Sequence, residues 1–344
     1  MQRRPKLAVV ASVALLLAMT APLTGTPALV RNSRYEDAFE RIVARHRAEI
    51  HATDEGAVPM STTEILRYAA FTDDPGGGNP AGVVLDACGL DTAAMLRIAR
   101  DIGFSETAFV TPPATGELLH VRYFSPVDEV PFCGHATIAT GVAWAERHGY
   151  GTLGLQTRAG FVRLDVARDA TGGPPTATLT SVPPRTVAVS DADVDEALAA
   201  LGWQRAELDE NLPPRVAFAG AWHLILGAGT LARLADLRYD FERLGRLMAR
   251  RDWTTVQLIH RTGPHTFRAR NPFPPGGVVE DPATGAAAAA LGGYLRQLGL
   301  VNVPEHVTVH QGIEMGRPST LNVEIPRGAT SGIRVSGTAV VLPA

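Results

Sequence analysis

Val130-Pro131-Phe132-Cys133-Gly134-His135-Ala136-Thr137 and Val279-Glu280-Asp281-Pro282-Ala283-Thr284-Gly285-Ala286 follow one plan. Each comes after an Arg-x-x-x-Pro strand end, Arg122 to Pro126 in the first copy and Arg270 to Pro274 in the second. Each runs into a short helix of small apolar residues, expected over 136–146 and 286–295. Both helices are apolar nearly all round, the pattern of a helix buried on every side. The same strand–turn–helix made twice, with ionisable groups at both turns, points to an internal duplication. A site between the halves would face two helix N-termini, where unsatisfied N–H groups and the helix dipole favour an anion such as a carboxylate.

Working outward, residues 65–71 and 83–85 read as strands separated by a Gly-rich turn over 72–80. Asp91 caps a helix reaching Ile102, and Glu106–Thr111 and Leu118–Phe124 are strands that lead to the first central helix. Residues 153–157, 161–166 and Thr176–Thr180 continue as strands, and Pro183-Pro184 reads as a linker. Beyond it come a helix from Asp191 or Asp193 through Leu201, a strand at 221–226, the helix Phe241–Arg251, and strands at 256–260 and 266–269. The second central helix follows, with strands at 307–310, 321–325 and 333–342 closing the chain. Short strands with few helices make this an α+β protein. The expected architecture is two pseudo-symmetric domains, 60–183 and 184–344, each a β-roll or barrel around a central buried helix, with the last strand able to return to the first domain.

At 344 residues the chain is long enough for two domains, and 45% hydrophobic content with 34 Gly and 25 Pro describes a globular, turn-rich protein. A net charge of −3, with no basic stripe and no aromatic ladder, argues against nucleic-acid binding. Cys88 and Cys133 supply neither a disulfide framework nor a Cys-x-x-Cys metal site, and would pair only if the fold brought them together. Residues 1–59 stand apart. Arg3, Arg4 and Lys6 precede an apolar run over 7–19, and Thr26-Pro27-Ala28 follows. That is the tripartite pattern of a secretory signal, too short for a membrane span. The alternative is a translation start at Met60 and a cytoplasmic protein, which is the expectation adopted, with export following if the segment is real.

Five motifs carry a resemblance. Asn79-Pro80-Ala81-Gly82-Val83-Val84-Leu85, Gly103-Phe104-Ser105-Glu106-Thr107-Ala108-Phe109-Val110, Pro131-Phe132-Cys133-Gly134-His135-Ala136-Thr137, Glu280-Asp281-Pro282-Ala283-Thr284-Gly285, and Gln311-Gly312 with Gly316-Arg317-Pro318-Ser319 resemble the PhzF family. These are the phenazine-biosynthesis-type isomerases, within the diaminopimelate epimerase superfamily. The resemblance spans Glu64 to Leu342 in the family's order. It implies a homodimeric isomerase that uses no metal, flavin or nicotinamide.

Glu106 opens an apolar strand, where a carboxylate is expensive without a partner or a task. The resemblance makes it the general acid/base, moving a proton between carbons of the substrate. His135, beside Gly134 at the first turn of the central helix, matches the family's active-site histidine, and Asp281 mirrors it in the second half. A capping role is the plain alternative for Asp281. Asn79, Ser105, Gly134, Thr284 and Gly285 are the expected substrate-binding residues. Where the family often has Ser, this chain has Ala286, which removes one hydroxyl from the expected substrate shell.

Cys133 stands where thiol-dependent racemases of the superfamily keep one of two cysteines, but the second half offers no Cys. It therefore reads as a small buried residue. His306 and His310 have helical spacing on a strand-like segment and do not make a metal site. Gly76-Gly77-Gly78 lacks the ending of a phosphate loop. The expected function is a cofactor-independent isomerase or epimerase acting on a small carboxylate-bearing substrate. The competing readings are a Cys133-dependent amino-acid racemase and a non-catalytic ligand-binding member of the fold.

Overall fold

The computed structural model describes residues 63–113, 118–168, 170 and 172–343, so the signal-like segment and Met60 lie outside the described residues. The first half runs β1 (Leu66–Ala70), β2 (Asn79–Val84), α1 (Thr92–Ile102), β3 (Glu106–Thr111), β4 (Leu118–Phe124), β5 (Glu129–Val130), α2 (Gly134–His148), β6 (Gly151–Thr157), β7 (Gly160–Ala167) and β8 (Thr176–Thr180). The second runs β9 (Arg185–Ala188), α3 (Asp191–Leu201), β10 (Arg215–Phe218), β11 (Trp222–Gly227), α4 (Leu231–Ala235), α5 (Phe241–Arg251), β12 (Thr255–Gly263), β13 (Thr266–Phe273) and β14 (Val278–Asp281). It ends with α6 (Gly285–Gln297), β15 (Glu305–Gln311), β16 (Ser319–Ile325) and β17 (Arg334–Val341).

Pairing repeats the sequence plan. β1–β2 is antiparallel, β2–β3 parallel, β3–β4 antiparallel, β4–β6 parallel, and β6–β7 and β7–β8 antiparallel. From β10 to β17 the same order of parallel and antiparallel pairs recurs. β17 also pairs with β8 and with β1, which closes the first ring. A closed ring leaves no edge to template aggregation. Each half winds around its buried helix, α2 in the first and α6 in the second, and the protein has the diaminopimelate epimerase-like α+β fold.

Each Arg-x-x-x-Pro strand end has a structural purpose. Arg122 on β4 binds Glu129 on β5 at 2.8 Å, and Arg270 on β13 binds Glu280 on β14 at 2.5 Å. Both ion pairs tie a barrel strand to the short strand that feeds a central helix. The helices are small-residue helices because the sheet comes close. A Cβ on Gly292 would fall 2.8 Å from Ile333, and one on Gly293 2.5 Å from Pro184. Phe71, after β1, holds a left-handed backbone (φ 65), which is costly for a bulky residue. Its N–H donates to Thr338 and its carbonyl accepts from Thr320, while its ring backs Gly285 at the start of α6.

The expected elements differ from the observed ones in the start of one strand and in several short elements that the pattern did not show. β2 begins at Asn79, inside the expected turn: Pro80 needs no donor there, because the parallel pairing with β3 starts at Ala81. β5, β9, β10, β14 and α4 did not show in the sequence pattern, being short and close to Pro or Gly. Residues 305–311 are a strand, so His306 and His310 do not meet along a helix face. Among the described residues no helix is long and apolar enough to cross a membrane.

Candidate active site

Glu106 is the first residue of β3 and His135 the second of α2. Glu106 Oε2 lies 3.4 Å from His135 Nε2 and 3.6 Å from Cys133 Sγ. Ser105 Oγ is 3.3 Å from the same imidazole nitrogen. On the far side of the ring, Asn79 Nδ2 is 3.1 Å from His135 Nδ1 and donates to Asp281 Oδ1 at 2.8 Å and to the Ala283 carbonyl at 3.1 Å.

Asp281 ends β14 and is held from two directions. Thr284 Oγ1 donates to its Oδ2 at 2.6 Å, and Gln311 Nε2 donates to its backbone carbonyl at 2.6 Å. Gln311 also donates to Thr284 Oγ1 at 3.0 Å and accepts from the Thr284 N–H at 3.2 Å. Burial pushes the Asp281 carboxyl up to about 7, with the nearby Glu106 charge adding, while Thr284 and Asn79 pull it down. Burial lowers His135, against the pull of Glu106. Burial and Glu106 together hold the Cys133 thiol well above its ordinary value. At neutral pH the thiol is protonated and the imidazole is neutral, and burial favours the protonated form of Asp281 far more than in a free carboxyl.

The two helix starts meet at this point: a Cβ on Gly134 would lie 3.8 Å from Gly285 Cα and 3.9 Å from Ala286 N. They open onto a cavity of ≈ 570 Å³, with Ser105, Glu106, Cys133 and His135 on one side and Asp281, Thr284 and Ala286 on the other. Its outer walls are apolar, formed by Phe132, Phe161, Leu179, Phe218 and Phe273 among others. Among the described residues that line it there is no Lys or Arg. The positive ends of α2 and α6 are thus the cavity's own means of receiving an anion.

The structure brings together all eight residues expected at the site, with two corrections. Asn79 does not line the cavity; at 1% exposed it lies behind the site and ties His135 to Asp281. Asp281 is not the counterpart of His135 either. The N-cap residues are Cys133 and Thr284, so the position matching Asp281 is Val130, three residues before the cap. Cys133, read as a small buried residue, is buried but touches Glu106, and its place at a helix cap beside His135 was the available signal. Gln311 is the other site residue missed; the Gln311-Gly312 pair in the motif marked it.

The donor atoms of Glu106, Cys133 and His135 lie within 4.8 Å of one another, close enough to hold a cation. A metal would need Cys133 as thiolate and His135 Nε2 without its proton. Burial and the neighbouring Glu106 favour the protonated thiol instead. Cys88 is exposed and Cys133 buried, and both are free.

A duplicated α+β barrel with ionisable side chains gathered at two facing helix starts is the plan of the epimerase-like isomerases. The family model described as phenazine biosynthesis-like protein, PhzC-PhzF, matches residues 68–344, and the chain belongs to that family. It is an isomerase of this family. It is 36% identical over 299 residues to a protein of Deinococcus radiodurans named an uncharacterized isomerase, covering 84% of this chain and 97% of the relative. It is 33% identical over 253 residues to the trans-2,3-dihydro-3-hydroxyanthranilate isomerase of Pseudomonas chlororaphis, covering 73% and 86%. Its fold is similar to the crystal structure of a PhzF-family phenazine biosynthesis protein from Bacillus anthracis, with TM-score 0.73, 27% identity, and 83% and 98% of the chains covered.

Proposed function

We propose that the chain moves a proton between two carbons of a small cyclic or aromatic-like carboxylate, with Glu106 as the group that takes and returns it. The supporting observation is the Glu106 carboxylate, 3.4 Å from His135 Nε2 and lining the same cavity as Asp281. Glu106 removes a proton from carbon, the electron pair moves into the adjoining unsaturation, and the proton is delivered to the carbon at its other end. The N–H groups at the starts of α2 and α6 hold the substrate carboxylate. His135 and protonated Asp281 donate to the oxygen or nitrogen where charge builds, which separates acid from base duties between two carboxyl groups. This chemistry draws on side chains alone and calls for no cofactor.

The relative from Pseudomonas chlororaphis carries the name of a dihydro-hydroxyanthranilate isomerase, which suggests the substrate class. Ala286 at the start of α6 offers no hydroxyl to such a substrate, so the class is proposed and not that compound. A racemase working through two thiols is disfavoured, because the counterpart of Cys133 at the second helix cap is Thr284.

The test is deuterium uptake from heavy water into a panel containing trans-2,3-dihydro-3-hydroxyanthranilate and cyclic and aromatic amino acids. Wild type is expected to exchange at least one member, and Glu106→Gln to lose about 100-fold or more in rate. Exchange that survives in Glu106→Gln and disappears in Cys133→Ala would overturn the assignment in favour of the thiol.

A further inference from the structure

The duplication places a second polar corner on the same cavity. β2 and β3 run parallel with Ala81 opposite Glu106, and β11 and β12 run parallel with His223 opposite Thr255. Glu106 and Thr255 each open their strand. Each also stands three residues before the strand partner of the matching arginine: Phe109 faces Arg122, and Leu258 faces Arg270. The second half thus carries His223 and Thr255 where the first carries Ala81 and Glu106. Glu106 and His223 both line the cavity, beside Gly220, Ala221 and Thr254 at the β10–β11 end.

The hydrogen bonds fix what His223 offers. Its Nδ1 lies 2.8 Å from Thr255 Oγ1, and that hydroxyl donates onward to Asn271 Oδ1 at 2.9 Å. A hydroxyl has one proton to give, so Thr255 accepts from His223, and Nδ1 carries the imidazole proton. Nε2 is then a lone-pair acceptor. It is buried and has no hydrogen-bond partner, in a residue that is 0% exposed. Burial alone drives the imidazole down to about 3, so it remains a neutral acceptor at neutral pH. A buried acceptor without a partner costs stability. The cavity is where a partner can come from.

We propose that His223 Nε2 is a second anchoring point of this cavity, accepting a hydrogen bond from a hydroxyl or amino group that the substrate carries away from its reacting carbon. The inference rests on the cavity's being the substrate site but not on proton transfer at Glu106. Its consequence is selectivity. A site built to pair with a donor discriminates against an analogue that lacks it.

Two measurements test it. Imidazole nitrogen NMR of the wild-type chain is expected to show His223 as the Nδ1–H tautomer, with an Nε2 resonance that moves when a donor-bearing ligand fills the cavity. Calorimetry would then compare carboxylates paired to differ by one donor: benzoate with 3-hydroxybenzoate, anthranilate with 3-hydroxyanthranilate, and proline with trans-4-hydroxyproline. At least one pair is expected to favour the hydroxylated member by on the order of tenfold. The preference should collapse to about twofold or less in His223→Phe, return in His223→Gln, whose amide oxygen replaces the acceptor, and persist in Glu106→Gln. A proton on Nε2 in the free protein, no pair with a preference, or a preference that survives in His223→Phe overturns the proposal. If His223→Phe does not fold, the tautomer and ligand-shift measurement on wild type still decides. Loss of deuterium exchange in Glu106→Gln with the preference intact would separate this inference from the proton-transfer reading.

Discussion

Asp281 shows how far a single side chain can be set by its surroundings. Its carboxyl is pushed up to about 7 by burial, with Glu106 adding. If protonated Asp281 is the acid form the reaction uses, kcat/KM should fall as pH rises through about 7. Thr284→Val removes a bond that favours the ionised form, so that fall should move to higher pH, which a pH–rate profile would show. The linkage to folding has a definite sign. The folded value lies above the ordinary one of 3.8, so the folded chain binds the extra proton between about 4 and about 7, and stability is lost as pH rises across that window. Asp281→Asn should therefore raise Tm at pH 8, relieving a cost on the order of a few kcal/mol, and change it little at pH 4. An equal shift at both pH values would contradict this. Much of this site was legible in the sequence, since Glu106, His135 and Asp281 stand in short motifs beside Gly and Pro. The links between them were not. That Asn79 would reach His135 and Asp281 depends on a contact 202 residues apart in the chain, which no local pattern encodes.

At the scale of elements, the central helices are chosen for closeness and not for propensity. α6 keeps Gly at 292 and 293, where Ala would favour the helix by about 1 kcal/mol per residue. Sterics outweigh that gain at Gly293, because a Cβ there would lie 2.5 Å from the rigid ring of Pro184. Gly293→Ala is expected to destabilise by roughly 1–3 kcal/mol, read from a shift in the denaturation midpoint, and a stabilised variant would refute the close-approach argument. The same logic explains which elements could be read. α2 and α6 announce themselves by being apolar on all faces, and Asp91 and Gly103 mark both ends of α1 by an N-cap bond and a left-handed C-cap. β9 and β10 have four residues each, fewer than periodicity needs, and owe their existence to pairing with one another and, for β10, with β11. Tertiary pairing, absent from any window of sequence, made those strands.

The whole molecule is more tightly joined than its duplicated sequence suggests. β17, the last strand, pairs with β16 of the second half and with β8 and β1 of the first. Arg317, between β15 and β16, donates from Nε to the Gly78 carbonyl at 2.8 Å and also binds the Gly77 carbonyl, bracing the turn that delivers Asn79 to the site. Gln311, at the other end of the same loop, holds Asp281 and Thr284. One short connection therefore fixes parts of the site contributed by both halves. A fragment covering residues 64–183 would lack β17, leaving β1 and β8 with open edges and the first barrel unclosed, and 184–344 would lack the strands that β17 joins. Neither fragment alone is expected to melt cooperatively. Mixing the two should restore a cooperative transition, followed by near-ultraviolet circular dichroism, because the lost pairing is between chains that can still find each other. Cooperative melting of 64–183 by itself would show that the first half closes without its borrowed strand, and the site's dependence on both halves would then rest on Asn79, Arg317 and Gln311 alone.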